Sequence, residues 1–246
     1  MSPREAKESN NQPRAGKRRK AAKGKSTSGF GGYRKRTITA GELIGSLFSL
    51  AGEAPTIYEI WGKHELDPGF REELMLAVAK LNDCRYCSWG HHEWAHIAGI
   101  PEEELAHIEN MDLEGFDRRK WVALSYVRAF VSGKFGSVPR ELRKEMRENY
   151  TAHEIKEIEL VVRIMDVGNR SANTWDAMLS RLKGNPAADS HILDEAVLSA
   201  AFLTVAPIAI VYLAHASNRS YLEMARSLID YVSHYEERST QEQAAA

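Results

Sequence analysis

The chain of 246 residues has only two cysteines, Cys84 and Cys87, so a multiply bridged secreted scaffold is excluded. Their spacing is also too short to staple distant segments together, which leaves reactivity or metal binding as what such a pair can offer. The basic run Lys17-Arg18-Arg19-Lys20 is not followed by an apolar stretch with a cleavage site, so no export signal is read there and a cytoplasmic address is expected. No run of alternating polarity bracketed by hairpin turns exists, which argues against a sheet. Net charge is nearly absent too, at -1, but that figure hides an asymmetry. Residues 1–36 hold twelve Lys/Arg against Glu5 and Glu8, leaving 21 basic and 32 acidic residues for the remainder.

Hydrophobic residues make up 43% of the chain and charged ones 27%, enough apolar material for a buried core. Residues 1–36 are the exception, being rich in Lys, Arg, Gly, Ser, Asn and Gln with Phe30 and Tyr33 as the sole aromatics. They are read as a disordered basic arm, either a solvated extension or a tether to nucleic acid. From Thr37 on the periodicity is helical and the fold class is all-α. Thr39 caps a helix with Leu43, Ile44, Leu47, Phe48 and Leu50 on one face, and Asp67-Pro68-Gly69 opens another with Leu74, Leu76, Ala77, Val78 and Leu81. Asn82-Asp83 separates that helix from one running from about Cys84 to Ala98. Further helices are expected over 118–132, 139–150, 152–167, 171–182, 194–214 and 221–236. Gly184-Asn185-Pro186 divides a core, residues 37–184, from C-terminal helices, residues 185–246, that pack on it or at a subunit interface. The charge-free run Ala196–Ala214 is long enough to cross a bilayer, but its alanines, Ser199, Thr204 and Pro207 favour a buried helix.

Chemistry concentrates between Glu72 and His91. Cys84 and Cys87 fall three apart in the first turn of a helix, so their sulfurs share a face and a reversible disulfide is feasible. The unpaired N–H groups of a helix start also favour a thiolate. His91, four residues beyond Cys87, lies on the same face and can trade a proton with that sulfur. If the chain reverses at Asn82-Asp83, Glu72 returns to the level of His91 and its carboxylate can orient the imidazole. Glu73 is the neighbouring acid, less well spaced.

Glu72, Cys84, Cys87 and His91 together fit E-x11-C-x2-C-x3-H, and the chain here resembles the alkyl hydroperoxidase D-like proteins of the carboxymuconolactone decarboxylase superfamily. The likeness covers roughly residues 40–184 and includes Asn169-Arg170 after a later apolar helix; the arm and the C-terminal helices fall outside it. It implies a homo-oligomeric helical bundle with thiol-dependent peroxidase or disulfide reductase activity and no cofactor. It also implies a hydroperoxide or disulfide substrate and a dithiol reductant, a lipoyl or thioredoxin-like protein. By the same resemblance Cys87 attacks peroxide, Cys84 resolves the sulfenic acid, and Glu72 with His91 relays protons. The chain departs from one member of the family in carrying Tyr86 where that member has a histidine before the second cysteine.

Three other readings of the same residues compete. Cys84, Cys87, His91 and His96 can be read as zinc ligands, although their compact helical spacing argues against a finger-type site. An unreactive buried pair, or a redox-sensing interaction module, needs the cysteines without catalysis. Decarboxylation without thiols leaves the cysteine pair no task. His92 and His96 lie on a different face and are read as ordinary polar residues. Tyr86, Trp89, Trp94 and Met75 are expected in the core or along a pocket. Finally, a shift of 84 residues lays Glu73, Leu76 and Val78 on Glu157, Leu160 and Val162, and Cys84, Cys87 and His91 on Gly168, Ser171 and Trp175. This points to a faint internal repeat whose second copy has lost the chemistry and serves as a pocket wall or subunit contact.

Overall fold

The computed structural model describes residues 33–110, 112 and 115–245, with side chains up to Tyr235. These residues form ten helices and, among them, no strand, so the all-α expectation holds. In chain order the helices are α1 (Ala40–Ala51), α2 (Ala54–Gly62), α3 (Pro68–Leu81), α4 (Arg85–Ile97) and α5 (Glu102–Glu109). They continue with α6 (Arg118–Ser132), α7 (Arg140–Asn149), α8 (Ala152–Leu182), α9 (Ile192–Ala216) and α10 (Tyr221–Ala245).

The main core is built on α3, whose residues Leu74, Leu76, Val78 and Ala79 are fully buried among Val122, Leu124 and Val127 of α6 and Ile158, Val161 and Val162 of α8. A helix buried on nearly every side carries apolar residues all round rather than along one stripe, which is how α3 reads. Its start is fixed by Asp67, whose side chain accepts from the Phe70 N–H, and by Pro68 at the first helical position.

Two helices expected at 152–167 and 171–182 are a single one. Gly168 costs a helix about 1 kcal/mol relative to alanine, but both flanks are buried and the backbone ladder runs through without a break. Ser171, expected to open the second helix, and Thr174 turn their hydroxyls back onto the carbonyls of Val167 and Arg170, both at 2.8 Å. Thr151 and Glu154 close a capping box at the start of the helix.

Helix α8 also carries a buried polar row, Asp166, Asn169, Asn173 and Asp176, which receives the segment before α1. Arg36 pairs with Asp166 at 2.9 Å, Lys35 with Asp176 at 3.1 Å, and the Tyr33 hydroxyl donates to the Asn173 carbonyl. The last residues assigned to the basic arm therefore lie against the helices, because buried carboxylates require cations. The rest of that arm, with the nucleic-acid tether read there, lies outside the described residues.

The C-terminal helices pack on the core. Arg181 of α8 grips Glu195 of α9 through two bonds of 2.6 and 2.8 Å. Trp89 of α4 is buried with Ile210, Leu213, Ala214 and Met224, and its indole N–H donates to Ser227 of α10. Helix α9 is the one described helix long and apolar enough to cross a membrane. One side of it faces the protein through Leu198, Ile210 and Leu213, while Leu203, Ile208 and Val211 are exposed. The apolar face expected on α1 forms as a helix face but is not covered, since Ile44, Leu47 and Phe48 are exposed.

Candidate active site

The turn between α3 and α4 sets the site. Asn82 ends α3, Asp83 takes a left-handed backbone conformation at φ 53°, and Cys84 caps α4. Aspartate tolerates that region better than most residues, and the Tyr235 hydroxyl holds its carboxylate at 2.8 Å. The reversal lays α4 back along α3. Glu72 and His91, 19 residues apart, meet at 2.7 Å between carboxylate Oε2 and imidazole Nδ1.

Cys84 and Cys87 are joined as a disulfide with their Cα atoms 5.3 Å apart. The pair is asymmetric. Cys84 is fully buried and its sulfur accepts the Cys87 N–H at 3.4 Å, whereas Cys87 is half-buried and opens onto a cavity. His91 lines the same cavity. Because Nδ1 is committed to Glu72, Nε2 is the nitrogen left for chemistry there.

Arg71, a residue with no warning in the sequence beyond its adjacency, donates to the other oxygen of Glu72 at 3.0 and 3.1 Å. Burial pushes the Glu72 carboxyl up, but the hydrogen bonds and charges of His91 and Arg71 outweigh it and hold the group below the usual carboxylate range. Glu72 is thus an anion at neutral pH, an orienter rather than a proton donor.

Glu73 points elsewhere, fully buried and bonded to Lys120 at 3.0 Å. Burial drives its carboxyl up to about 7, with Lys120 opposing and Glu104 assisting. A carboxyl raised on folding gives stability that is present below its unfolded value near 4.3 and is lost as pH rises through its folded one. The melting temperature of the wild type relative to Glu73→Gln should therefore fall between pH 5 and pH 8. Parallel melting curves over that range check it, and a gap independent of pH would refute it.

Tyr86 donates to Asp176 at 2.9 Å, alongside Arg85 on the same oxygen at 2.7 Å. Burial, and then the Asp176 charge, push its hydroxyl up to about 12, so at neutral pH it is a fixed donor and not a proton carrier.

The cavity measures about 530 Å³. Tyr86, Trp89 and Trp94 contribute from α4 as expected, while Met75 is in the core. Leu198, Phe202 and Val205 of α9 complete it, so the segment outside the recognised motif supplies much of the wall. Gly168 and Ser171, the positions matched to Cys84 and Cys87 by the 84-residue shift, also line it. At that same offset Asn82 donates to Asp166 at 3.0 Å, placing the two matched segments side by side. Among the lining residues His91 is the sole imidazole, and none is Lys, Arg, Asp or Glu.

The four residues singled out by the motif are therefore together, with Arg71 and the α9 wall added to them. The zinc reading of Cys84, Cys87, His91 and His96 does not match this arrangement, in which the two sulfurs are bonded to each other. No family model, curated protein or solved structure matches the chain.

Proposed function

We propose that the protein is a thiol-dependent peroxidase for apolar organic hydroperoxides, recycled by a dithiol carrier. The observation that carries this reading is the placement of Cys87 and an oriented His91 on the wall of one apolar cavity, with Cys84 bonded behind Cys87. The motif resemblance points the same way.

In the reduced protein the Cys87 thiolate attacks the outer oxygen of ROOH. The O–O bond breaks, sulfur is oxidised to a sulfenic acid, and the alkoxide leaves with a proton from His91 Nε2 as ROH. The Cys84 thiol then attacks the Cys87 sulfur, water departs, and the disulfide seen here closes. A dithiol, lipoyl or thioredoxin-like, reopens it by exchange and is itself oxidised. A disulfide substrate would use the second half of this cycle in reverse. The exposed apolar residues of α1 and α9 suit the homo-oligomer that the resemblance implies, since large exposed apolar patches mark association surfaces.

The apolar wall provides the test. An aryl hydroperoxide such as cumene hydroperoxide should oxidise the reduced protein faster than hydrogen peroxide does, because burial of apolar surface in the cavity lowers the barrier only for the bulky substrate. Ala206→Trp, which fills the cavity from α9, should slow the aryl substrate by about tenfold or more and leave hydrogen peroxide nearly unchanged. Stopped-flow tryptophan fluorescence or quenched mass spectrometry reads both rates. Equal effects on the two peroxides would remove the cavity from the mechanism, and inert thiols would remove the peroxidase.

A further inference from the structure

A second cluster of metal-type donors sits one residue beyond His91, on the other side of α4, and has no part in the thiol chemistry. His92 and His96 stand one helical turn apart, and Glu102 begins α5 beneath them. The His92 Nε2 atom lies 3.3 Å from Glu102 Oε2, the His96 Nε2 atom lies 2.7 Å from the same oxygen, and all three ligand atoms fall within 4.8 Å of one another. We infer that His92, His96 and Glu102 form a binding site for a first-row divalent cation, with zinc the best match.

Three observations support the assignment. The donors are two imidazoles and a carboxylate, the set that suits zinc and its neighbours rather than magnesium or calcium. Ligands at about 2.0–2.1 Å from a tetrahedral ion stand roughly 3.3–3.4 Å apart; the His92–Glu102 separation of 3.3 Å already meets this, and the His96–Glu102 separation of 2.7 Å has to open slightly. The third observation separates a site from a chance cluster. Glu109 accepts from His92 Nδ1 at 3.1 Å and is itself held by the Tyr231 hydroxyl at 2.7 Å. That carboxylate fixes the ring and leaves Nε2 turned to the cluster, as the outer-shell partners of metal-bound histidines do.

The residues His92-Glu93-Trp94-Ala95-His96 also follow the H-E-x-x-H pattern of zinc peptidases, in which the glutamate is the general base. Here both oxygens of Glu93 are taken, one by Arg219 at 2.8 Å and the other by Ser227 at 2.7 Å. Glu93 instead fastens α10 to α4, so the site lacks the base that peptide hydrolysis needs. Its role is to clamp α4 to α5 across the turn at Gly99, bracing the helix that carries Cys87 and His91. Three protein ligands leave a fourth position for water. His96 and Glu102 are exposed, so the ion can exchange with the medium.

The site does not depend on the peroxidase reading, and the test keeps the two apart by using the oxidised full-length chain, in which the thiols cannot bind metal. Zinc chloride is titrated calorimetrically into this metal-free protein near pH 7.5, because metal ligands must shed their protons to bind. One equivalent per chain is expected. Binding should weaken at least about tenfold in His96→Ala and in Glu102→Gln, two exposed positions where the fold is not at stake, and about 10–100-fold in Glu109→Gln. It should persist in the Cys84→Ser/Cys87→Ser double variant and in His153→Ala, which disables the other His-carboxylate cluster of the described residues, Glu59, Glu65 and His153. Absence of stoichiometric uptake, or uptake indifferent to His96→Ala and Glu102→Gln, overturns the inference. Uptake lost in the cysteine double variant or in His153→Ala overturns it as well, by moving the metal to another site.

Discussion

Replacing Cys87 with serine should abolish hydroperoxide consumption, while replacing Cys84 with serine should leave a single stoichiometric event. The difference follows from burial. Cys87 opens onto the apolar cavity beside His91, whereas Cys84 is fully buried behind it at the cap of α4. A hydroxyl in place of the Cys87 sulfur is far too basic to ionise near neutrality and is not oxidised by peroxide, so the variant loses the nucleophile outright. In Cys84→Ser the attack proceeds, but the sulfenic acid finds no thiol with which to condense. Intact mass separates the outcomes. The reduced wild type loses two hydrogens per chain, Cys84→Ser gains one oxygen, and Cys87→Ser stays unchanged. A Cys87→Ser protein that still consumed peroxide, or a Cys84→Ser protein that turned over many times, would reverse the assignment of the two sulfurs.

The motif residues were legible because each is fixed by local geometry. Cys84, Cys87 and His91 share one helix face by spacing alone, and the reversal that returns Glu72 to His91 was readable in Asn82-Asp83. What spacing does not carry is the company each residue keeps across the fold. Arg71 looks like any charged neighbour until α3 is buried, and only then does its guanidinium become the partner that keeps a buried carboxylate ionised. The boundary expected near Gly168 failed for a related reason: tertiary burial on both sides of a weak helix former overrides its propensity. The apolar run in α9 was visible as composition, but composition does not say which side faces a cavity, a partner or lipid. Position in the fold gave Phe202 and Ala206 to the cavity and left Leu203 and Ile208 exposed.

His91→Ala should slow peroxide reduction by about 10²–10⁴-fold, the usual worth of a positioned general acid or base, with the thiols and the disulfide left able to form. Glu72→Gln should cost less, on the order of 10–100-fold, because a hydrogen bond to a charged group contributes about 1.5–3 kcal/mol and glutamine retains an acceptor. Glu72 acts through His91 and touches no substrate, so it is a positioning residue. Its loss should therefore appear in kcat with KM nearly constant, and Glu72→Asp should recover part of it. A merely structural defect would spare neither parameter and would not respond to the shorter carboxylate. Stability gives a second, independent readout. The Glu72 carboxyl is held below its ordinary value, so its contribution to folding is full above the unfolded pKa near 4.3 and is lost as pH falls through the depressed one. Wild type should then melt higher than Glu72→Gln at neutral pH, and the gap should close as the solution is acidified below about 4. If the gap is the same at pH 3 as at pH 7, an ionised Glu72 carboxylate between His91 and Arg71 is not what the fold stabilises, and the relay loses its orienting charge.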